Sequence, residues 1–271
     1  SGELTGAVAL PGSETALGAH LADVLVCRHD GDWVALDVPT IAVREMASLD
    51  PTRRVGAFDA AATTVPESRR LGTLDDDHVR GLVAVLLASE AVGVAQWCVD
   101  TAAEYAKVRV QFGRPIGQFQ GVKHRCAEML ARTELARAAV WDAARAAGDL
   151  ENGSDVAIAA AAALAFEAAF TNAKDCVQTL GGIGFTWEHD AHVYLRRAMT
   201  LHQLTGTPAE WRVRAARAAK QGGRRRLAVD LPAEAEAYRT ELRAFLAEIR
   251  DLPPAAQRDR RVDEGYVMPR W

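Results

Sequence analysis

The spacing of apolar and polar positions changes near residue 74, and this change divides the chain into two kinds of structure. Before it, short apolar runs are separated by Pro/Gly or Asp/Gly turns, a pattern typical of strands in a compact β unit. The runs that we predict as strands are residues 7–10, 23–27, 33–36 and 40–43. Residues 1–70 are therefore expected to be mainly β.

After residue 74 the chain consists of long stretches rich in Ala and Leu, with helix-terminal signals at their ends. Three aspartates at 75–77 offer N-cap oxygens to a first helix that runs to about residue 110 and stops at Gly113 and Pro115. The second and third helices are expected at residues 118–147 and 154–180, and glycines follow them at Gly148 and at Gly181 and Gly182.

A capping box marks the start of a fourth helix, because Thr207 and Glu210 have the required spacing and Pro208 occupies the first helical position. That helix ends at residues 222–223, and residues 188–198 are expected to form a short connecting segment. Three long helices and one shorter helix with short loops predict an antiparallel four-helix bundle over residues 74–222. The fold class is therefore α+β, mainly α.

Residues 157–165 are small on every face of the third helix. This indicates either a close helix approach or an oligomer contact, or simply a sequence with high helix propensity.

The last part of the chain has a different character. A polar break at residues 222–226 precedes an expected amphipathic helix over residues 232–250, which ends at 252–254 before a charged stretch. The residues on its apolar face are Leu242, Phe245, Leu246 and Ile249. Residues 223–271 are thus interpreted as a linker and the first helix of a following domain.

Composition excludes several classes of protein. The net charge of -4 gives no reason to expect a nucleic acid or an anionic membrane as a partner. The four cysteines form no C-x-x-C pair, which favours a reducing cytoplasm over a disulfide framework. No signal peptide opens the sequence, the apolar run at 81–96 is short for a bilayer span, and a start at Ser1 suggests a fragment of a longer polypeptide.

The residues alone give weak chemical signals. His189 and His192 have i, i+3 spacing but no evident third metal ligand. The glycines at 181–184 follow a helix, whereas a dinucleotide-binding fingerprint follows a strand. Segments 105–115 and 178–182 could bind a flat or anionic ligand, although from the residues alone helix-terminus chemistry is the favoured explanation.

Two longer motifs carry a family resemblance. Residues 105–120, Tyr-Ala-Lys-Val-Arg-Val-Gln-Phe-Gly-Arg-Pro-Ile-Gly-Gln-Phe-Gln, with 122–129 behind them, closely resemble the acyl-CoA dehydrogenase signature. A second stretch also resembles this signature. It comprises residues 178–186, Gln-Thr-Leu-Gly-Gly-Ile-Gly-Phe-Thr, together with Glu188 and residues 196–197. Residues 48–54 look like the later half of the family's middle β-domain. The resemblance covers about residues 3–222.

The resemblance implies an FAD-dependent α,β-desaturation of an acyl-CoA, in which the helical domain contacts the FAD of a neighbouring subunit. Arg109 would pair with the pyrophosphate, because a guanidinium fork suits two phosphates. Phe112 and Gln120 would line the same cofactor. The positions that would hold the adenosine end are Gln178, Gly181 and Gly182.

The family positions that serve a subunit's own substrate and flavin are changed in this chain. The usual base motif is replaced by Leu-Thr-Gly-Thr, which puts Thr205 at the base position. The alternative base position, 26 residues before Arg109, is Val83. The substrate-contact positions are Gly81 and Ala84, and those for the subunit's own flavin are Pro208 and Ala209. A shift of register would bring in only Glu210, which the capping box already explains.

The tail then resembles the start of another acyl-CoA dehydrogenase unit, through residues 231–248 and 265–271. The resemblance implies a degenerate first unit of a tandem or heteromeric enzyme, similar to those that act on steroid-CoA side chains in actinobacteria. Implied partners are a second dehydrogenase unit in a dimer or tetramer, an acyl-CoA at the partner's active site, and an electron acceptor flavoprotein or similar. The alternative is a structural or regulatory helical partner without cofactor contact.

Overall fold

The computed structural model describes residues 3–72, 74–147, 154–225, 232 and 234–267. The chain divides into two compact units, Ser1–Arg225 and Arg226–Trp271. This division lies close to the expected boundary at residue 223, and the first unit contains both the β strands and the long helices. Gly148, most of the linker at 226–233 and residues 268–271 lie outside the described residues.

The β part of the first unit contains two three-stranded sheets. One has the order β1–β3–β4, with β1 parallel to β3 and β3 antiparallel to β4; the other is antiparallel with the order β2–β6–β5. The strands are β1 Gly6–Val8, β2 Thr15–Leu17, β3 Val24–His29, β4 Asp32–Asp37, β5 Ala42–Met46 and β6 Val55–Asp59.

The four predicted strands correspond to β1, β3, β4 and β5, whereas β2 and β6 were missed. Strand β2 has only three residues, which are too few for an alternating apolar pattern to be recognised. Strand β6 contains Gly56, a residue that disfavours strands. Glycine is favoured there because an added Cβ would lie only 3.0 Å from Ala19 Cβ and from the backbone nitrogen of His20.

The helices of the first unit are α1 Asp76–Val108, α2 Gln120–Ala146, α3 Ser154–Leu180, α4 Ala191–Leu204 and α5 Pro208–Lys220. A hairpin of two-residue strands, β7 Val110–Gln111 and β8 Arg114–Pro115, connects α1 to the turn before α2. Side-chain capping sets the starts of α1 and α5, as expected from the sequence. Asp75 accepts a hydrogen bond from the backbone nitrogen of His78, and Thr207 and Glu210 form the reciprocal capping box of α5.

Helix α3 occupies the centre of the helical part, where it contacts α1, α2, α4 and α5. Its small residues are buried on almost every face, so the stretch at 157–165 serves close helix packing within the chain. One buried polar side chain fixes its register against α2: Asn172 Nδ2 donates to the Met129 carbonyl at 3.0 Å and to Thr133 Oγ1 at 2.9 Å.

Two helices were not predicted. The expected connecting segment at 188–198 is largely part of α4, so the described part of the first unit has five α-helices rather than four. Ala191, Ala198 and Leu201 are buried, and Tyr194 and Leu195 pack against the same core, so α4 has a helical apolar period that the prediction missed. In the second unit, the charged stretch after Leu252 forms α7, Pro254–Asp263, although none of its residues is buried.

The second unit is a helical pair. Its first helix, α6 Glu234–Ile249, buries Phe245 and Ile249 of the predicted apolar face, while Leu242 and Leu246 stay exposed. The ring of Tyr266 lies 4.8 Å from that of Phe245.

Two segments, Asp76–Val108 and Ser154–Phe185, are long and apolar enough to cross a membrane by length and composition. Most of their apolar windows is buried inside the protein, as is usual for core helices.

Candidate cofactor-binding site

One end of the helical part collects the end of α1, the start of α2 and the end of α3. The turn before α2 packs closely on the last turns of α1. A Cβ added at Gly117 would lie only 2.9 Å from the Ala106 carbonyl oxygen. Arg125 near the start of α2 lies 3.8 Å from Asp175 near the end of α3. The six positions assigned to the cofactor therefore share this end of the unit: Arg109, Phe112, Gln120, Gln178, Gly181 and Gly182.

The α1–α2 hairpin presents an aromatic ring to solvent in an unusual backbone conformation. Phe112 and Gly113 form its two-residue loop with φ of 54° and 77°, the positive values of a type I′ turn. Glycine adopts this conformation freely, but a bulky residue does so at a cost of about 1–2 kcal/mol. Phe112 is nevertheless 92% exposed, and its ring meets Phe119 edge-on at 6.0 Å. Backbone strain of this kind is concentrated at functional sites.

The same end carries unbalanced positive charge. Within the described residues, Arg109, Arg114 and Lys123 have no carboxylate partner, and the Arg109 side chain is exposed. Arg114 lies over the Phe119 ring at 4.2 Å. Arg114, Phe119 and Lys123 were not singled out from the sequence, although all three belong to the quoted motif. Such a cluster suits an anionic group with several oxygens.

The turn after α3 has two glycines with different roles. Gly181 has a φ of 65°, whereas Gly182 is exposed and a Cβ added to it would meet nothing within 4 Å. The protein's own packing therefore does not require glycine at 182, and the backbone there is open to close approach by another molecule. Gln178 is also exposed.

A separate cleft of about 570 Å³ lies between the β part and helices α1 and α4. Val83 lines it, as do Leu87 and Leu204. Thr205 follows at the end of α4, is 3% exposed, and its hydroxyl has no hydrogen-bond partner among the described residues. No Asp or Glu of the described chain lines this cleft.

Comparison with known proteins identifies the helical part. Residues 82–220 match the family model of the acyl-CoA dehydrogenase C-terminal domain, which is about half of the chain. The chain belongs to the acyl-CoA dehydrogenase family.

Among relatives, the acyl-CoA dehydrogenase FadE34 of Mycobacterium tuberculosis is 44% identical over 262 residues, which are 94% of this chain and 36% of that protein. The acyl-CoA dehydrogenase IpdE2 of the same species is 35% identical over 212 residues, covering 77% of this chain and 61% of IpdE2. The chain thus spans about a third of FadE34 and less than two thirds of IpdE2.

The ChsE4-ChsE5 complex of Mycobacterium tuberculosis has the same fold over 81% of this chain and 64% of the matched chain. The TM-score is 0.69 at 24% identity.

Within this acyl-CoA dehydrogenase fold, the changed positions have structural partners of their own. A Cβ at Gly81 would lie 3.4 Å from Ile158 of α3, and Ala84 is completely buried. Pro208 is buried at the first turn of α5, where the carboxylate of Glu210 accepts a hydrogen bond from the backbone nitrogen of Thr207 at 2.6 Å. That hydrogen bond lowers the pKa of Glu210 most, and a second hydrogen bond from the Thr207 hydroxyl lowers it further.

An ion cluster joins the β part of this family member to α1 and α4, and the sequence did not reveal it. Arg197 donates to Asp50 and Glu90, and Arg53 also donates to Glu90. Burial raises the pKa of Asp50, but hydrogen bonds from Arg197 and Thr52 outweigh it and hold the pKa below its usual value. Burial lowers the pKa of Arg197, but the hydrogen bonds and charges of Asp50 and Glu90 outweigh burial, so the pKa is raised above its usual value.

The histidine pair has ordinary packing roles. His189 Nδ1 accepts a hydrogen bond from the backbone nitrogen of Ala191 at 3.0 Å, and His192 lies edge-on to Trp187 at 4.7 Å. In the parts of the chain that the structure describes, no group of three or more His, Cys, Asp or Glu could hold a metal ion.

Proposed function

We propose that this chain is part of an FAD-dependent acyl-CoA dehydrogenase and lends cofactor contacts to a site held with a second dehydrogenase unit. The observation that carries the proposal is the exposed end of the helical part, where Arg109 has no carboxylate partner among the described residues and Phe112 is held outward at positive φ. Backbone strain and large exposed apolar side chains are both enriched at functional and contact surfaces.

The residues present fit the pyrophosphate of FAD. The Arg109 guanidinium would pair with the phosphates, with Arg114 and Lys123 adding positive charge. Phe112 and Gln120 would line the cofactor. Gln178, Gly181 and Gly182 would approach its adenosine end, helped by the open surface at Gly182. When bound, FAD supplies the acceptor for the hydride that leaves the β carbon of the acyl-CoA.

This chain supplies no catalytic base in the proposal. Abstraction of the α proton needs a carboxylate within hydrogen-bond reach. Thr205 and Val83 would occupy both family base positions. No described carboxylate lines the cleft at Val83. Glu210 lies beside Thr205, but its carboxylate accepts the capping-box hydrogen bonds from Thr207. The α proton of the acyl-CoA would therefore be removed in the partner unit, which also holds the thioester and passes electrons to an acceptor flavoprotein or similar protein.

The partner is a second acyl-CoA dehydrogenase unit, fused or separate, in a dimer or tetramer. Apolar side chains beside the proposed cofactor positions support an interface: Val108 is 73% exposed, Phe185 80% and Trp187 75%. A fused partner is supported by length. The 262 matched residues make up 36% of FadE34, and the 212 matched residues make up 61% of IpdE2. FadE34 is therefore roughly twice as long as IpdE2. Residues 223–271 would then begin the second unit.

A reducing cytoplasm is the proposed location. Cys27, Cys98, Cys126 and Cys176 are all free thiols. The hydrogen bond between Cys98 and Cys176 raises the pKa of Cys98 and lowers that of Cys176, and both sulfurs are buried in the core.

The test is FAD retention by the assembled enzyme after dialysis, with Arg109→Ala compared with Arg145→Ala. Arg145 is exposed near the other end of α2 and serves as a matched control. A lost charge-assisted contact costs about 1.5–3 kcal/mol, so Arg109→Ala is expected to weaken FAD binding at least tenfold. Equal FAD content in both variants and the wild type would support the alternative, a helical partner without cofactor contact.

A further inference from the structure

Three of the four cysteines come from three different helices, with Cys98 on α1, Cys126 on α2 and Cys176 on α3. Cys98 and Cys176 belong to the apolar core of the helical part, and Cys126 packs against that core. The fourth cysteine, Cys27, belongs to the separate core of the β part. The packing of the three helices therefore decides whether the first three thiols can react with one another.

Cys98 and Cys176 are in direct contact between α1 and α3. Their thiols share a hydrogen bond, and both residues are completely buried. Near the starts of the same two helices, a Cβ at Gly81 would lie 3.4 Å from Ile158, so α1 and α3 stay in close contact along their length. Sulfurs in hydrogen-bond contact need only a small shift to reach the length of a disulfide bond, about 2 Å.

Cys126 lies opposite Cys176 across the pair of helices α2 and α3. Their sequence neighbours Arg125 and Asp175 lie 3.8 Å apart, and the charge of Cys176 is close enough to raise the pKa of Cys126. The hydrogen bond from Cys98 lowers the pKa of Cys176. Since the thiolate is the form that attacks a disulfide, Cys176 is the member of the buried pair that is more readily activated.

Cys126 connects the buried pair to the surface. It is half-buried and lines a surface cleft of about 430 Å³ between the end of α1 and the start of α2. The cleft is mainly apolar, with Lys107 and Lys123 among its lining residues. Burial raises the pKa of Cys126, and the positive charge of Arg125 offsets part of that effect. A small reagent can thus reach Cys126 without first reaching the two thiols beneath it.

We propose that Cys98 and Cys176 form a reversible disulfide, and that a low-molecular-weight disulfide oxidises them through Cys126. The Cys126 thiolate attacks the reagent, forms a mixed disulfide and releases one half of the reagent as a thiol. Cys176 then attacks Cys126 Sγ and releases the second half as a thiol. In the last step Cys98 attacks Cys176 Sγ, the bond to Cys126 breaks, and the Cys98 proton passes to Cys126.

The overall reaction oxidises two protein thiols to one disulfide and reduces one reagent disulfide to two thiols. Excess reagent thiol reverses it by the same steps. In a reducing compartment, a disulfide of this kind is transient and serves redox sensing rather than folding. The bridge would form in the chain itself, whether or not a partner or FAD is bound.

The test is incubation of the folded full chain with bis(2-hydroxyethyl) disulfide and 2-mercaptoethanol in varied ratio at mildly alkaline pH. Samples are quenched with acid, alkylated, and analysed by intact mass and peptide mapping. We expect the wild type to lose two of its four thiols, to retain no reagent adduct, and to give a cross-linked peptide pair that contains Cys98 and Cys176. Excess 2-mercaptoethanol should restore all four thiols.

Cys126→Ala removes the accessible thiol and should form the same bridge about tenfold or more slowly, because a buried thiol reacts only when the core opens. Cys27→Ala is the matched control, since it removes a thiol from the core of the β part, and it should oxidise as the wild type does. If Cys27→Ala lowers the thermal midpoint, Cys27→Val replaces it.

Retention of all four thiols by the folded wild type at every ratio of disulfide to thiol would overturn the proposal. A stable adduct on Cys126 with Cys98 and Cys176 still reduced would do the same, as would an unchanged rate of bridging in Cys126→Ala. None of these results depends on FAD, so they leave the test of cofactor retention by Arg109→Ala independent.

Discussion

Replacing Asp50 by Asn is expected to destabilise the chain strongly at neutral pH. Asp50 is completely buried and accepts hydrogen bonds from Arg197, from the Thr52 backbone nitrogen at 2.9 Å and from the Thr52 hydroxyl at 2.6 Å. Asparagine keeps the size of the side chain but removes the charge that faces Arg197. Breaking a buried ion pair costs about 3–5 kcal/mol, and we expect about 3 because Glu90 still pairs with Arg197.

The assay is urea unfolding of the full chain, followed by far-ultraviolet circular dichroism between pH 3 and pH 7. A carboxyl group with a lowered pKa contributes stability above its unfolded value and loses it as the pH falls through the folded value. The pKa of Asp50 is lowered in the folded chain. The difference in unfolding free energy between wild type and Asp50→Asn should therefore be largest at pH 7 and decrease below about pH 4.

Glu104→Gln is the matched control, because it removes one carboxylate of an exposed pair with Lys107 on α1. That change should cost less than about 1 kcal/mol. If Asp50→Asn were no more destabilising than Glu104→Gln, or if its effect persisted undiminished at pH 3, the ion cluster would not join the β and helical parts as described.

Three further outcomes are expected. Gly184→Ala should lower the thermal midpoint, because the new Cβ would lie 2.7 Å from the Val177 carbonyl, whereas Gly182→Ala should leave stability unchanged and lower FAD retention by the assembly. Phe112→Gly should stabilise the chain to urea by about 0.5–1 kcal/mol by relieving the positive φ, while reducing FAD retention. Thr207→Ala should cost about 1 kcal/mol in urea unfolding through loss of the capping box.

Helix ends were predictable where local chemistry sets them. The N-cap at Asp75, the glycine after Leu180 and the capping box at Thr207 placed the ends of α1, α3 and α5 within about two residues. Helix α4 was missed although its apolar residues follow a helical period. Helix α7 was missed because charge pairs, rather than buried apolar residues, hold it. Arg260 of α7, for example, pairs with Glu248 of α6 at 2.8 Å.

The candidate site was only partly predictable. The motifs named the candidate residues, but the assembly of these residues at one end depends on how three long helices pack. The Asp50–Arg197 contact joins residues 147 positions apart, and no spacing rule detects such a pair. The positive φ at Phe112 was likewise invisible, since sequence rules expect Asn or Gly there.

We propose that this chain contacts the partner's cofactor and supplies no catalytic base. The most direct test of this proposal is turnover of an acyl-CoA by the full assembly at saturating and at limiting FAD, comparing Thr205→Ala with Arg109→Ala. We expect nearly unchanged turnover for Thr205→Ala at both FAD concentrations, and a loss of turnover for Arg109→Ala that is largest at limiting FAD. A fall of about 10²-fold or more for Thr205→Ala at saturating FAD, the size expected for removal of a general base, would contradict it.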